Sequence, residues 1–370
     1  MIGRARSLAL LSGALKPGTG GSDASRRRRA VREWTDPLRV INAHLLGPAV
    51  YAALLHGETL ADLPVEVRRY LGYLYRENAR RNAALRRQAL EMLGALEARG
   101  VDTMLLKGCA ALLGKLHCGS GVRMLRDIDL LVKQEDIPQT LDTLNALGYR
   151  IDQRFPAGHH AHAELRRLHD PAALDLHTEL VDPKHVLGAK EVWARAERHT
   201  HDGVTWFAPC PTDFVFHNIL HAQVHFLGDF YRGVLDLHQV YDLAIAMRRH
   251  GAAIDWELIE TRLQAHHLHR PLHTYLLAAR FFFGVPWPLS ARPDTVSRMF
   301  LAQCLIGLLA PQVPVVLAPL GNVRGALAWH RMRGLYGEKI PLLGLQAVHA
   351  WHFLRKSKAR TIARRVFRTH

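Results

Sequence analysis

The sequence predicts an α+β fold, a small mixed β-sheet core embedded in a mostly helical protein. Three observations predict it. Short strand-like stretches occur in the middle of the chain, an apolar run at residues 104–106 and a two-residue period at 127–132 and 172–180. Stretches with three- and four-residue periods flank them on both sides. Between residues 101 and 182 the two kinds alternate, which calls for helices packed against a sheet.

The elements follow in order. Residues 1–35 read as a flexible basic arm, with Gly18, Gly20, Gly21, Ser22 and Ser25 ahead of the unbroken run Arg26, Arg27, Arg28, Arg29. Residues 7–15 faintly resemble a signal-peptide core, but Lys16-Pro17-Gly18 makes a poor cleavage site. Residues 36–100 form a helical segment. Leu60, Leu63, Val67, Leu71 and Leu74 recur at helical steps; Leu85, Ala89, Met92, Leu93 and Leu96 continue the pattern to Gly100. Arg76, Arg80, Arg81, Arg86 and Arg87 are expected on a solvated face.

A strand at 104–106 ends at Lys107-Gly108, where glycine allows a sharp turn and a close approach of the backbone to a ligand. A helix is expected over 110–116. The loop Gly119-Ser120-Gly121 leads to the strand at 127–132. Asp136 and Pro138 open the next helix, whose apolar stripe is Ile137, Leu141, Leu144 and Leu147, and Gly148 closes it. A short strand at 149–151, the His159, His160, His162 arm and the turn Asp170-Pro171 then lead into the strand at 172–180, as an antiparallel hairpin. From residue 183 to 370 the chain reads as a helical domain with a basic tail. A helix over 214–226 carries His217, His221 and His225 on one face, and a second, over 231–250, follows with Asp236 and His238. The end is basic and amphipathic, with Trp351, Phe353, Arg355, Lys356, Arg360, Arg364 and Arg365.

Composition bounds what such a chain can do. At 370 residues, 48% of them hydrophobic, it can bury a core of two or three packed modules. No stretch reaches the ~18 uninterrupted apolar residues of a membrane span; residues 313–320 come nearest and contain Pro314 and Pro319. Cys109, Cys118, Cys210 and Cys304 show no CxxC spacing and fit a reducing, cytoplasmic compartment. The formal charge of +16 and a pI of 10.2 invite nucleic acid or an anionic membrane as a partner of the basic ends. Scattered, merely solvated Arg is the equal alternative.

The chemistry concentrates on two strands. Asp127 and Asp129 are separated by one residue, so in a strand they project from one face, and two adjacent carboxylates repel unless a cation lies between them. Mg²⁺ suits such a site, with Mn²⁺ as the alternative ion. On the later strand Asp175 and His177 share a face. If the strands are neighbours, three carboxylates could hold two ions roughly 3.5–4 Å apart, the arrangement that clamps an in-line phosphoryl transfer. Asp127 and Asp129 would bind both ions; Asp175 would bind the one that activates an acceptor hydroxyl and take its proton. His177 then orients Asp175 or contacts a phosphate. Arg123, four positions ahead of Asp127, has matching parity. It is either a bidentate phosphate ligand or one half of a structural salt bridge. His217, His221 and His225 are a minor metal candidate beside the commoner outcome of imidazoles packed between helices.

These residues carry a resemblance. LLKG at 105–108, Arg123 ahead of DIDLLV, a helix ending in ALGY at 146–149 and LDLH at 174–177 resemble the uncharacterised nucleotidyltransferases of the DNA polymerase beta-type superfamily. The resemblance is strongest over residues 100–182 and continues more weakly through 211–242. It implies a Gly turn at Gly108, the Asp-x-Asp at Asp127 and Asp129, and a third carboxylate at Asp175. One departure stands out: the superfamily turn is usually Gly-Ser or Gly-Gly, whereas here it is Lys107-Gly108-Cys109. Lys107 could replace the missing hydroxyl as a phosphate-binding cation.

The expectation is therefore transfer of a nucleoside monophosphate from an NTP to a hydroxyl-type acceptor (small molecule, peptide or protein), with pyrophosphate leaving. Three alternatives stand beside it. A glycosyltransferase also uses an Asp-x-Asp to hold a metal on a nucleotide sugar; a degenerate pocket could sense nucleotide without turnover; a basic nucleic-acid-binding protein could carry the Asp pair incidentally.

Overall fold

The computed structural model describes residues 2–16, 31–156, 158–182, 184–225, 228–326 and 328. Helices α1 (Ile2–Leu15), α2 (Thr35–Ala43), α3 (Gly47–His56) and α4 (Val65–Glu97) come first. Strand β1 (Met104–Leu105), helix α5 (Lys107–Leu113), strand β2 (Asp127–Leu131), helix α6 (Ile137–Ala146) and strands β3 (Arg150–Arg154), β4 (Ala161–Arg166) and β5 (Ala173–His177) follow. Helix α7 (Ala189–Ala194) leads into the hairpin β6 (Glu197–His201) and β7 (Val204–Ala208). The remainder is helical: α8 (Pro211–Gln223), α9 (Asp229–Arg232), α10 (Leu237–His250), α11 (Trp256–Ala265), α12 (His269–Phe283), α13 (Thr295–Leu309) and α14 (Gln312–Ala326). The expected fold class is what the chain adopts.

The strands make one mixed sheet in the order β3-β4-β5-β2-β1-β7-β6. Its two central neighbours, β2 and β5, run parallel. Alternation gives each a dry face and a polar face. Ile128, Leu130, Leu174 and Leu176 are fully buried in one apolar layer with Leu85, Ala89, Met92 and Leu93 of α4. Each such side chain contributes about 1.5–3 kcal/mol by leaving water, so a one-residue slip of register would cost the whole layer. The slip is forbidden, and the intervening residues Asp127, Asp129, Asp175 and His177 are forced onto the opposite face, towards α8 and α10.

Several expectations need correcting. Residues 1–35 are not wholly a flexible arm: α1 buries Leu8, Leu11 and Leu15, and Ser12 Oγ donates to the Phe282 carbonyl at 2.8 Å. That stretch is apolar on most sides, so it lacks the polar stripe by which an amphipathic helix is recognised. The sheet does not end near residue 182. β6 and β7 add a hairpin, and β7 pairs in parallel with β1. Its signal is Asp202-Gly203, both at positive φ (52° and 79°), the two-residue turn whose twist suits a hairpin. The helix expected over 231–250 is broken: α9 ends at Gly233, in the left-handed region, and α10 starts after Asp236. The Arg26–Arg29 run and the basic tail beyond residue 328 lie outside the described residues. No single helix among the described residues is long and apolar enough to cross a membrane.

Candidate functional site

The parallel register of β2 and β5 sets Asp129 directly beside Asp175 and Leu131 beside His177. Asp127 lies two residues before Asp129 on the same face. Ligand atoms of Asp129, Asp175 and His177 all fall within 4.8 Å of one another. The three expected carboxylates therefore come from the two expected strands. His177 differs from expectation in its partner: its Nε2 lies 3.0 Å from Asp129 Oδ1, across the strands, rather than on Asp175.

Lys107 completes the cluster. Its Nζ donates to Asp129 Oδ1 at 2.5 Å. The sharp turn expected at Gly108 is made one residue earlier, because Lys107 itself has φ +45°, a conformation few non-glycine residues adopt. The Leu106 N–H donates to the Asp129 carbonyl at 3.0 Å, which fixes this turn against β2.

The charges sort themselves by neighbour. Burial, reinforced by Asp129 and Asp127, pushes the Asp175 carboxyl up to about 7. Burial and then Asp129 also raise Asp127. Burial would raise Asp129 too, but Lys107 and His177 outweigh it and hold that carboxyl well below the usual range. Burial pulls His177 below its ordinary value, so its ring is neutral at pH 7. This donor set fits a hard divalent cation. Oxygens of Asp129 and Asp175 converge with a His177 nitrogen, a group that does not include Asp127, and the Asp175 carboxyl is pushed up for want of positive charge.

Arg123 lines the same cleft, but it is not free. Its Nε donates to Asp242 Oδ2 at 2.8 Å and its Nη2 lies 2.7 Å from the same oxygen, while His117 Nε2 lies 3.2 Å from Asp242 Oδ1. Of the two roles expected for Arg123, the structure contains the salt bridge. Gly108 packs on this guanidinium: a Cβ at residue 108 would lie 2.8 Å from Arg123 Cζ. Its glycine is required by a side chain, where the sequence suggested a ligand.

The long helix α4 supports the cluster from behind. Asn78 Nδ2 donates to the carbonyls of Gly121 (2.7 Å) and Arg123 (2.9 Å). Asn82 Nδ2 donates to those of Ser120 (2.7 Å) and Arg123 (2.8 Å). Arg81, expected in solvent, donates to the carbonyls of Leu125 and Pro171, at the entries to β2 and β5. None of the three was singled out as a site residue from sequence. The available signal was two buried-side asparagines and an arginine interrupting an apolar stripe.

The facing wall comes from α8 and α10, with His217, Asn218, His221, His238 and Gln239 lining the cleft with the Asp pair. Burial lowers His221 to about 3 and His238 to about 4, so these imidazoles are uncharged. His160, from the expected His-rich arm, meets His225 edge-on at 4.5 Å between ring centroids and lies tilted to His177 at 5.4 Å. Among the described residues, the imidazoles of α8 do not form a metal-ligand group of their own. Asp236 lines the cleft and caps α10 by accepting from the His238 N–H at 3.0 Å, whereas Arg232 pairs with Asp229.

A family model described as an uncharacterised nucleotidyltransferase matches residues 31–284. Among curated proteins none matches the chain. Among solved structures, that of the antibiotic-resistance factor ANT(2'')-Ia is 14% identical, covering 55% of this chain and 98% of that one with a TM-score of 0.35.

Proposed function

The chain belongs to this uncharacterised nucleotidyltransferase family, and on that premise we propose that it moves a nucleoside monophosphate from an NTP to a hydroxyl-type acceptor at a divalent-metal site of the DNA polymerase beta type. The observation that carries the reading is the side-by-side register of Asp129 and Asp175, with Asp127 on the same face. The sheet supplies the reacting face and the helical remainder supplies the far wall. Residues 101–182 hold the candidate catalytic carboxylates, and the scattered free cysteines suit a cytoplasmic setting.

Asp127, Asp129 and Asp175 would hold Mg²⁺ or Mn²⁺, which supplies neutralisation of the phosphates and acidification of the acceptor hydroxyl. The chain's own residues do the rest. Lys107 places positive charge beneath the triphosphate. His177 holds Asp129 in one orientation through its Nε2 proton. As the acceptor oxygen bonds to the α-phosphorus, Asp175 takes the hydroxyl proton, and the bond from that phosphorus to the bridging oxygen breaks to release pyrophosphate. The uncharged wall of His217, Asn218, His221 and Gln239 offers hydrogen bonds to the nucleoside.

The test is pyrophosphate release from each NTP with Mg²⁺ or Mn²⁺, with label transfer followed in a cell extract. Asp127→Asn, Asp129→Asn and Asp175→Asn should each lower release by more than about 100-fold, since even groups that only support ligands cost 10–100-fold. No release from any NTP by the wild-type protein, with nucleotide-sugar binding intact, would move the reading to sugar transfer.

A further inference from the structure

We infer that Lys107 is the second cation of this site, so that the acidic cluster takes one divalent ion where its three carboxylates would otherwise hold two. The inference rests on the metal reading above and specifies how many ions the site accepts.

The first argument is occupancy. Asp129 Oδ1 receives Lys107 Nζ at 2.5 Å and His177 Nε2 at 3.0 Å. An ionised carboxylate carries no proton, so both nitrogens are the donors. One carboxylate oxygen has two lone pairs, and both are taken. Asp129 keeps only Oδ2 for an ion and cannot bridge a pair with one oxygen on each.

The second argument is charge. Ionised, as metal ligation requires, Asp127, Asp129 and Asp175 sum to −3, and the ammonium brings this to −2, the charge that one divalent ion neutralises. Arg123 is matched by Asp242, and the imidazoles of the facing wall are neutral.

The third argument is commitment of the backbone. Lys107 is held at φ +45°, which costs a non-glycine residue on the order of 1–3 kcal/mol. The hydrogen bond from the Leu106 N–H to the Asp129 carbonyl locks that turn. That turn starts the lysine stem beside β2, where its ammonium meets the buried Asp129.

The experiment is a titration of the full-length protein with Mn²⁺ alone, with the free ion followed by electron paramagnetic resonance. The wild-type protein should bind one ion per chain. Lys107→Met should bind two, with the spin coupling expected of ions roughly 3.5–4 Å apart; Lys107→Arg, which keeps a cation, should stay at one. Two coupled ions in the wild type would overturn the inference and leave the metal reading standing. A single ion of unchanged affinity in a folded Lys107→Met would do the same. No ion in either protein would remove the metal reading and the inference together. If Lys107→Met fails to fold, the wild-type count and Lys107→Gln decide.

Discussion

A Cβ at Gly108 would meet Arg123 Cζ at 2.8 Å and Leu125 Cγ at 3.2 Å. A flexible side chain could retreat from such a contact, but this guanidinium is tied to the buried Asp242. Gly108→Ala should therefore destabilise the protein by about 1–3 kcal/mol, as overpacking does, read as a shift in the urea midpoint. Arg123→Met should cost more, about 3–5 kcal/mol, because it leaves Asp242 buried without a counter-charge. A midpoint unchanged in Arg123→Met would mean that the pair is not formed in solution. At this scale the sequence was informative about the carboxylates. Parity alone put Asp127 with Asp129, and alternation put Asp175 on a polar face. It was silent on partners, since the bond from His177 to Asp129 depends on how two strands register, and no local pattern encodes that. The left-handed φ of Lys107 was equally hidden, because lysine carries no propensity for it.

The helix α4 does two jobs along its 33 residues. Its lower stripe of leucines builds the dry layer, and its asparagines hold the loop that enters β2. Asn78 and Asn82 are almost fully buried, and both give their amide protons to loop carbonyls. Asn82→Ala should strand the Ser120 carbonyl, while that of Arg123 keeps its bond from Asn78, and cost about 1–3 kcal/mol. Amide hydrogen exchange at residues 119–126 should accelerate well before exchange in β5 does; equal acceleration across the sheet would argue against a local role. The sequence showed α4 as two periodic stretches and its arginines as a solvated face. The count of helical turns was readable, but the destination of Arg81 was not, because its acceptors lie far away in the chain. The hairpin of β6 and β7 was readable from Asp202-Gly203 and was masked by the helical pattern on either side.

Buried imidazoles dominate the response of the whole molecule to acid. His221 and His238 sit near 3 and 4, below the roughly 6.5 of an unfolded chain. Between those values the unfolded state binds protons that the folded state refuses, so stability is complete above about pH 6.5 and falls as pH drops towards 4. Asp175, raised to about 7, works in the opposite direction over the same window. Asp127 and Asp229 are raised as well, against His160, His217 and His225, which are lowered like the first two rings. The melting temperature should thus decline by several degrees between pH 7 and pH 5, and His238→Gln should flatten the slope. A flat profile in the wild type would show that these rings are solvated.

Residue 123 is held from three directions. The asparagines of α4 grip its carbonyl, the glycine of α5 makes room for its side chain, and α10 supplies its counter-ion. The sheet and the helical half are thereby joined at one point that none of them can alter alone. Among descendants of this fold, positions 78, 82, 108, 123 and 242 should be inherited as a set. A chimaera that takes its helical half from a relative should tolerate the exchange only when residue 242 arrives with its acid intact.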